Sequence, residues 1–244
     1  MTDHLLRGVV FDLDGVIVDS HPLHKRAWRA FLASLGKQVP ESDLDFILEG
    51  RGRRDILIHF LGELSESDLQ KYGNKKDEFL RQACADLEPV AGAVEFIKQL
   101  VKARLRIAVA TSASRQRSRR TLQELKIADH FEVVVTADDV TQSKPDPAIY
   151  RLVAERLSVS PEYLLAIEDS VCGVRSARSA GLRCIGIALG QPVQPLIQAG
   201  AERVLPNLLG LSVKDLEEMF AYPQSGALTH SETMPAHHSD ESFL

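Results

Sequence analysis

Hydrophobic and polar positions follow two patterns along this chain. Short apolar runs typical of buried strands stand at 9–11, 107–110, 131–135, 164–167 and 184–188. Helical periodicity fills the segments 114–125, 148–157 and 171–180. Because strands that alternate with helices form parallel sheets covered on both faces, the pattern predicts a doubly wound α/β fold.

A second pattern interrupts the first one directly after the first strand. Apolar residues recur there at helical spacing, as at Trp28, Phe31, Leu32 and Leu35, without a convincing strand. We therefore predict an insert of about four helices, residues 21–88, called the helical insert below. Residues 1–20 and 89–221 then form the α/β core. The segment 222–244 is rich in Ser, Thr, His and Pro without a period, and we expect it to be a disordered tail.

Composition excludes several classes of protein. Of the 244 residues, 44% are hydrophobic and 26% are charged, close to the averages for soluble globular domains. No stretch approaches the roughly 18 apolar residues that cross a bilayer, so we expect no membrane association. The net charge of -5 argues against non-specific nucleic-acid binding. Three widely spaced cysteines and an N-terminus unlike a secretory signal predict a cytoplasmic protein.

Polar residues that carry chemistry follow the predicted strands. They are Asp12 and Asp14 after the first run, Thr111 and Ser112 after the second, Lys144 in a later loop, and Glu168 and Asp169 after the run at 164–167. Each feature alone has an ordinary explanation, such as a helix cap, a surface lysine or acids at a helix N-terminus. Together they place acids, hydroxyls and a lysine where parallel sheets bind ligands.

The joined motifs resemble those of the haloacid dehalogenase superfamily. They match at Asp12-Leu13-Asp14-Gly15-Val16, Thr111-Ser112, Lys144-Pro145 and Glu168-Asp169-Ser170, and the resemblance runs from about Arg7 to Phe220. The helical insert resembles the α-helical cap of the subgroup that includes beta-phosphoglucomutase and many sugar-phosphate phosphatases. The resemblance implies a Rossmann-like core with an inserted all-helical cap.

The same resemblance implies phosphoryl transfer through an aspartyl phosphate. Asp12 would be the nucleophile, and Asp14 would act first as general acid and then as general base. Lys144 and Thr111 would bind the transferring phosphoryl group, and Ser112 would contact the substrate. The dehalogenases of the superfamily lack a second aspartate at the position of Asp14, which favours phosphoryl transfer over carbon–halogen cleavage.

A divalent cation is implied as well, because a carboxylate that approaches a phosphate is otherwise repelled. Mg²⁺ prefers oxygen ligands. By resemblance, Asp12, the Asp14 backbone carbonyl and Asp169 would hold it, and Glu168 would be a further ligand or a supporting acid.

The helical insert supplies the other candidate substrate contacts. By resemblance, His24 would lie near the hinge, and Arg53 would hold a distal, non-reacting phosphate. Lys75 or Lys76 would match a cap lysine near the sugar. The alternatives are a surface histidine, a solvated basic turn around Arg53 and a charged helix face.

Three functions remain open at this point. The leading one is a phosphatase for a small phosphorylated metabolite such as a sugar phosphate. The second is a sugar phosphomutase of the beta-phosphoglucomutase type. A signalling receiver domain is disfavoured, because here the paired acids end the first strand and an insert follows at once. We expect a monomer or weak dimer without a nucleic-acid or membrane partner.

Overall fold

The computed structural model describes residues 6–83 and 87–221. Six parallel strands within these ranges form one sheet in the order β3-β2-β1-β4-β5-β6. They are β1 (Gly8–Phe11), β2 (Arg106–Ala110), β3 (Val133–Val135), β4 (Leu164–Glu168), β5 (Arg183–Ile187) and β6 (Arg203–Leu205). The chain order reverses at β1, which pairs with both β2 and β4. The crevice beyond the carboxyl ends of these central strands is where open α/β sheets bind ligands.

Helices cover both faces of the sheet. They are α4 (Ala93–Lys102), α5 (Arg115–Glu124), α6 (Ala148–Leu157), α7 (Val171–Ser179), α8 (Gln194–Ala199) and α9 (Val213–Ala221). Side chains alternate across a strand. Phe11 of β1 therefore packs in one apolar layer with Phe96, and Val10 packs in the other with Tyr150 and Val174. This arrangement confirms the predicted doubly wound α/β fold.

All regular elements in the described part of the helical insert, residues 21–83, are helices. They are α1 (His21–Ala33), the 3₁₀ helix Glu41–Leu48, α2 (Arg53–Leu61) and α3 (Glu66–Ala83). These helices enclose an apolar cluster of their own around Trp28, Phe31 and Leu57. The Trp28 ring packs edge-on against Phe31, with ring centroids 5.6 Å apart, so it serves as core.

The structure differs from the sequence prediction at two places. In the run at 131–135, the strand begins only at Val133, because Phe131 follows a 3₁₀ turn. Phe131 is instead a core residue whose ring packs against Phe11. The second half of the core also contains α8, β6 and α9, which the pattern did not indicate. Strand β6 has only three residues at the sheet edge, an exposed arginine and two partly buried apolar residues, which are too few for a recognisable apolar run.

Two further sequence predictions concern the C-terminal tail and membrane association. The expected tail at 222–244 lies outside the described residues. Within 6–83 and 87–221, no helix combines the length and the apolar character needed to cross a membrane.

Candidate active site

The four motifs meet in one cavity of about 340 Å³ between the carboxyl edge of the sheet and the helical insert. The core contributes Asp12, Asp14, Thr111, Ser112, Lys144 and Asp169 to its wall, and the helical insert contributes His21, His24, Arg53 and Lys76. The structure therefore brings together most of the residues named from the sequence. Among the described residues, Lys75 is absent from this wall, and Glu168 lies fully buried beneath it.

Lys144 is the central cation of the cavity floor. Its ammonium donates to Asp12 at 2.7 Å, to Glu168 at 2.6 Å and to the Ala110 carbonyl at 3.0 Å, which uses all three protons. Burial lowers the pKa of Lys144, but the adjacent charges of Asp12 and Glu168 outweigh it and raise that pKa well above its usual range. Lys144 is therefore a permanent, buried positive charge beside Asp12.

Glu168 supports this lysine from below. Its Oε1 accepts from Lys144 and, at 2.6 Å, from the Tyr150 hydroxyl. Its Oε2 accepts from Ser170 Oγ at 3.1 Å and from the Asp169 N–H at 3.2 Å. A Cβ at position 173 would collide with this carboxylate, so Gly173 leaves the space that Glu168 fills. Tyr150 was missed in the sequence, because an aromatic residue on the apolar face of a helix has the pattern of ordinary core.

The acids Asp12, Glu168 and Asp169 form a cluster that can hold a metal ion. Each offers a carboxylate oxygen, and these oxygens all lie within 4.8 Å of one another. Burial raises the pKa of Asp12 well above its usual range, and the charges of Glu168 and Asp169 add to the rise while Lys144 opposes it. A divalent cation relieves such crowding, and an all-oxygen donor set suits Mg²⁺. Because four protein donors already bind Glu168, Asp12 and Asp169 are the better ligands.

Asp14 is held by a residue that sequence reasoning missed. The Arg117 guanidinium on α5 donates to both carboxylate oxygens of Asp14, from Nη1 to Oδ1 at 2.8 Å and from Nη2 to Oδ2. Ser20 Oγ donates to Oδ1 at 2.5 Å. Burial alone would raise the pKa of Asp14, but Arg117 and then His24 hold it well below its usual range. Arg117 stands in the run 115–120, which looks like an exposed basic helix. The available signal was that α5 begins at Arg115, three residues after Ser112, so its first turn lies near the same sheet edge.

His24 and Lys76 face Asp14 from the helical insert. The Nε2 atom of His24 lies 3.5 Å from Asp14 Oδ1 and, within the described ranges, has no hydrogen-bond partner. Burial, with help from Lys76, lowers the pKa of His24 to about 4, so the imidazole is neutral at neutral pH. Burial also lowers the pKa of Lys76 to about 8. Of the two adjacent lysines, the structure points Lys76 into the cavity.

The remaining candidates, Arg53, Ser112 and Thr111, each have a protein partner. The Arg53 guanidinium donates to Asp77 at 2.6 Å. Ser112 Oγ donates to the Gly50 carbonyl at 3.1 Å and so links the core to the helical insert. Thr111 is fully buried, and its hydroxyl accepts the N–H two residues on at 3.1 Å. A hydroxyl that accepts in this way can still donate its own proton to a ligand.

Known proteins resemble this chain in sequence and in fold. A family model described as haloacid dehalogenase-like hydrolase matches residues 9–187. A phosphorylated carbohydrates phosphatase of Thermotoga maritima is 35% identical over 80% of this chain and 92% of its own length. The beta-phosphoglucomutase of Bacillus subtilis is 28% identical over 87% and 95%, respectively. The crystal structure of CbbY from Rhodobacter sphaeroides in complex with phosphate superimposes with a TM-score of 0.77, at 28% identity over 87% of this chain and 99% of that one.

Proposed function

Because the chain belongs to the haloacid dehalogenase-like hydrolase family, we propose that it is a Mg²⁺-dependent phosphatase of small phosphorylated carbohydrates. The observation that carries the proposal is the Asp12 carboxylate, which Lys144 holds at 2.7 Å beside Asp169 at the carboxyl edge of the sheet. A nucleophile, a fixed positive charge and a cation site are what phosphoryl transfer requires. The carbohydrate phosphatase of Thermotoga maritima, at 35% identity, supports the substrate class.

In the first step, an Asp12 oxygen attacks phosphorus, and the bond between phosphorus and the sugar oxygen breaks. The Lys144 ammonium stabilises the charge on the phosphoryl oxygens, and the Thr111 hydroxyl donates a hydrogen bond to one of them. Asp14 gives its proton to the leaving oxygen. Since the ion pair with Arg117 favours the Asp14 carboxylate, Asp14 has to release Arg117 for this acid role.

In the second step, water attacks the aspartyl phosphate on Asp12, and the bond from Asp12 to phosphorus breaks. Asp14 takes the proton from the attacking water, and the ion pair with Arg117, which favours the Asp14 carboxylate, suits this base role. Inorganic phosphate leaves, and Asp12 is regenerated as a carboxylate.

The residues that would hold Mg²⁺ are Asp12, Asp169 and, by family resemblance, the backbone carbonyl of Asp14. When bound, the cation would lessen the repulsion between Asp12 and the phosphate and orient the phosphoryl group. Glu168 would act mainly by holding Lys144, since its oxygens already accept four hydrogen bonds.

The proposal gives the two parts of the chain separate tasks. Residues 1–20 and 89–221 carry the chemistry, and the helical insert, residues 21–88, acts as a cap that selects the substrate. Its separate apolar cluster supports this division. Arg53 and Lys76 of the helical insert also support it, since they line the same cavity as the acids and would bind the remainder of an anionic substrate. Ser143, which lines the cavity, donates from its Oγ to Asp55 of the helical insert at 2.5 Å and so links the two parts of the chain.

A parallel incubation series tests the function. Phosphorylated sugars are incubated with Mg²⁺ or with EDTA, with and without a sugar bisphosphate primer, and free phosphate and isomerised sugar phosphate are measured side by side. We expect phosphate release that requires Mg²⁺ and not the primer.

The mutase is the second candidate, because Arg53 and Lys76 place two cations where a second phosphate could bind. Primer-dependent isomerisation with little free phosphate would establish it and overturn the phosphatase.

A further inference from the structure

His21 joins the helical insert to the acid cluster through one hydrogen bond. It is the first residue of α1, and its Nε2 lies 2.6 Å from Oδ2 of Asp169. Both side chains are largely enclosed, with 16% of His21 and 6% of Asp169 exposed. Because an ionised carboxylate only accepts hydrogen bonds, Nε2 carries the proton and donates it.

We propose that His21 is a positioning residue that orients Asp169 as a ligand for a divalent cation. The proposal rests on the cation use in the proposed function. With Oδ2 of Asp169 bound to His21, the other oxygen remains available to the cation site shared with Asp12. The acidic oxygens of Asp12, Glu168 and Asp169 all lie within 4.8 Å of one another, and this crowding would otherwise favour turning the Asp169 side chain away.

The backbone leaves room for this contact at Gly15. This residue has φ of 75°, in the left-handed region that favours glycine. A Cβ there would collide with Oδ2 of Asp169 and would lie 2.5 Å from Nε2 of His21. Three separate segments therefore converge on one hydrogen bond: the loop after β1, the first turn of α1 and the loop after β4.

The chemistry of the cation determines how His21 acts. Mg²⁺ prefers oxygen ligands, so the imidazole serves the carboxylate rather than the ion. Hydrogen-bond partners of metal ligands fix the rotamer of the ligand, and their removal typically costs about 10- to 100-fold in metal affinity. The structure shows no comparable donor on Asp169 Oδ2 among its described residues, so His21 alone would supply that gain.

The test measures cation binding to the full chain without any substrate. Mg²⁺ alone and Mn²⁺ alone are titrated by calorimetry into the wild type, His21→Ala, His21→Leu and His21→Gln, with circular dichroism to verify folding. The control is His59→Gln, because His59 is an exposed histidine that stacks on Phe46 and is not among the residues that line the cavity.

The expected results separate a donor from a merely bulky side chain. Without a donor, His21→Ala and His21→Leu bind both cations about 10- to 100-fold more weakly. His21→Gln keeps an N–H donor and stays within about threefold of the wild type, as does the control. Should one donorless variant fail to fold, the other still provides the comparison.

Four outcomes would overturn the proposal. Wild-type affinity in both donorless variants would remove His21 from the cation site and leave the phosphatase proposal intact. Equal loss in His21→Gln and His21→Leu would show that donation is not the cause. A loss confined to Mn²⁺ would make the imidazole a direct ligand. A wild-type chain that binds neither cation would overturn the Mg²⁺ dependence itself along with this inference.

Discussion

Replacing Lys144 by methionine tests how charge is balanced beneath the nucleophile. Methionine keeps an unbranched side chain that is one heavy atom shorter, and it removes the charge and the three donors. The Lys144 side chain is 2% exposed, and its partners Asp12 and Glu168 are 9% and 0% exposed. The substitution therefore leaves two enclosed carboxylates without their cation.

The size of the expected loss in stability follows from the burial of these three side chains. Removing one partner of a buried ion pair costs about 3–5 kcal/mol in the free energy of unfolding. In domains of this size, 1 kcal/mol shifts Tm by about 2–4 °C, so we expect Lys144→Met to lower Tm by about 6–20 °C. The loss is a large part of the total stability of a typical domain, about 5–15 kcal/mol.

The loss in stability depends on pH through the pKa of Asp12. Burial raises the pKa of Asp12 in the folded chain, and Lys144 opposes the rise, so the substitution raises that pKa further. In Lys144→Met, the folded chain keeps the Asp12 proton at pH values where the unfolded chain has already lost it. The stability of the variant therefore falls as pH rises from about 4 through the pKa of Asp12 in the folded chain. The Tm difference between the wild type and Lys144→Met is therefore larger at about pH 8 than at about pH 5.

Thermal unfolding followed by circular dichroism in EDTA measures both quantities. The matched control is Lys214→Met, because Lys214 is 83% exposed and lies 3.4 Å from Glu218 in a surface pair. Such pairs contribute about 0–1 kcal/mol. A Tm loss for Lys144→Met no larger than that of Lys214→Met, or a loss independent of pH, would refute the reasoning.

Three further substitutions test the roles of individual side chains. Asp12→Asn removes the nucleophile and should lower phosphate release at least about 10³-fold, whereas exposed Asp19→Asn should not, and similar rates in both would contradict the mechanism. Arg53→Ala should lower kcat/KM for sugar phosphates about 10-fold more than for a small aryl phosphate, and equal losses would exclude Arg53 from the substrate site. Arg117→Gln removes the charge that holds the pKa of Asp14 low, so the Asp14 limb of the kcat/KM profile should move to higher pH; an unmoved limb would show that Arg117 does not control it.

The sequence alone determined the layers of the fold and which loops share an edge. Strands β1, β2, β4 and β5 are buried over nearly all their length, so each appears as a local apolar run that needs no knowledge of its neighbours. Parallel strands end at the same edge, and residues that directly follow them, such as Asp12 and Asp169, are therefore brought together by topology. The edge strand β6 was not predicted, because it is short and not fully buried.

Only the tertiary structure decided which side chains of the helical insert and of α5 reach these acids. Adjacent helical residues point about 100° apart, so whether Lys75 or Lys76 enters the cavity depends on how α3 is rotated against the core. The contacts of Arg117 with Asp14 and of His21 with Asp169 join residues 103 and 148 positions apart. Local periodicity carries no information about such pairs, because the packing of the helical insert and α5 on the sheet edge sets them.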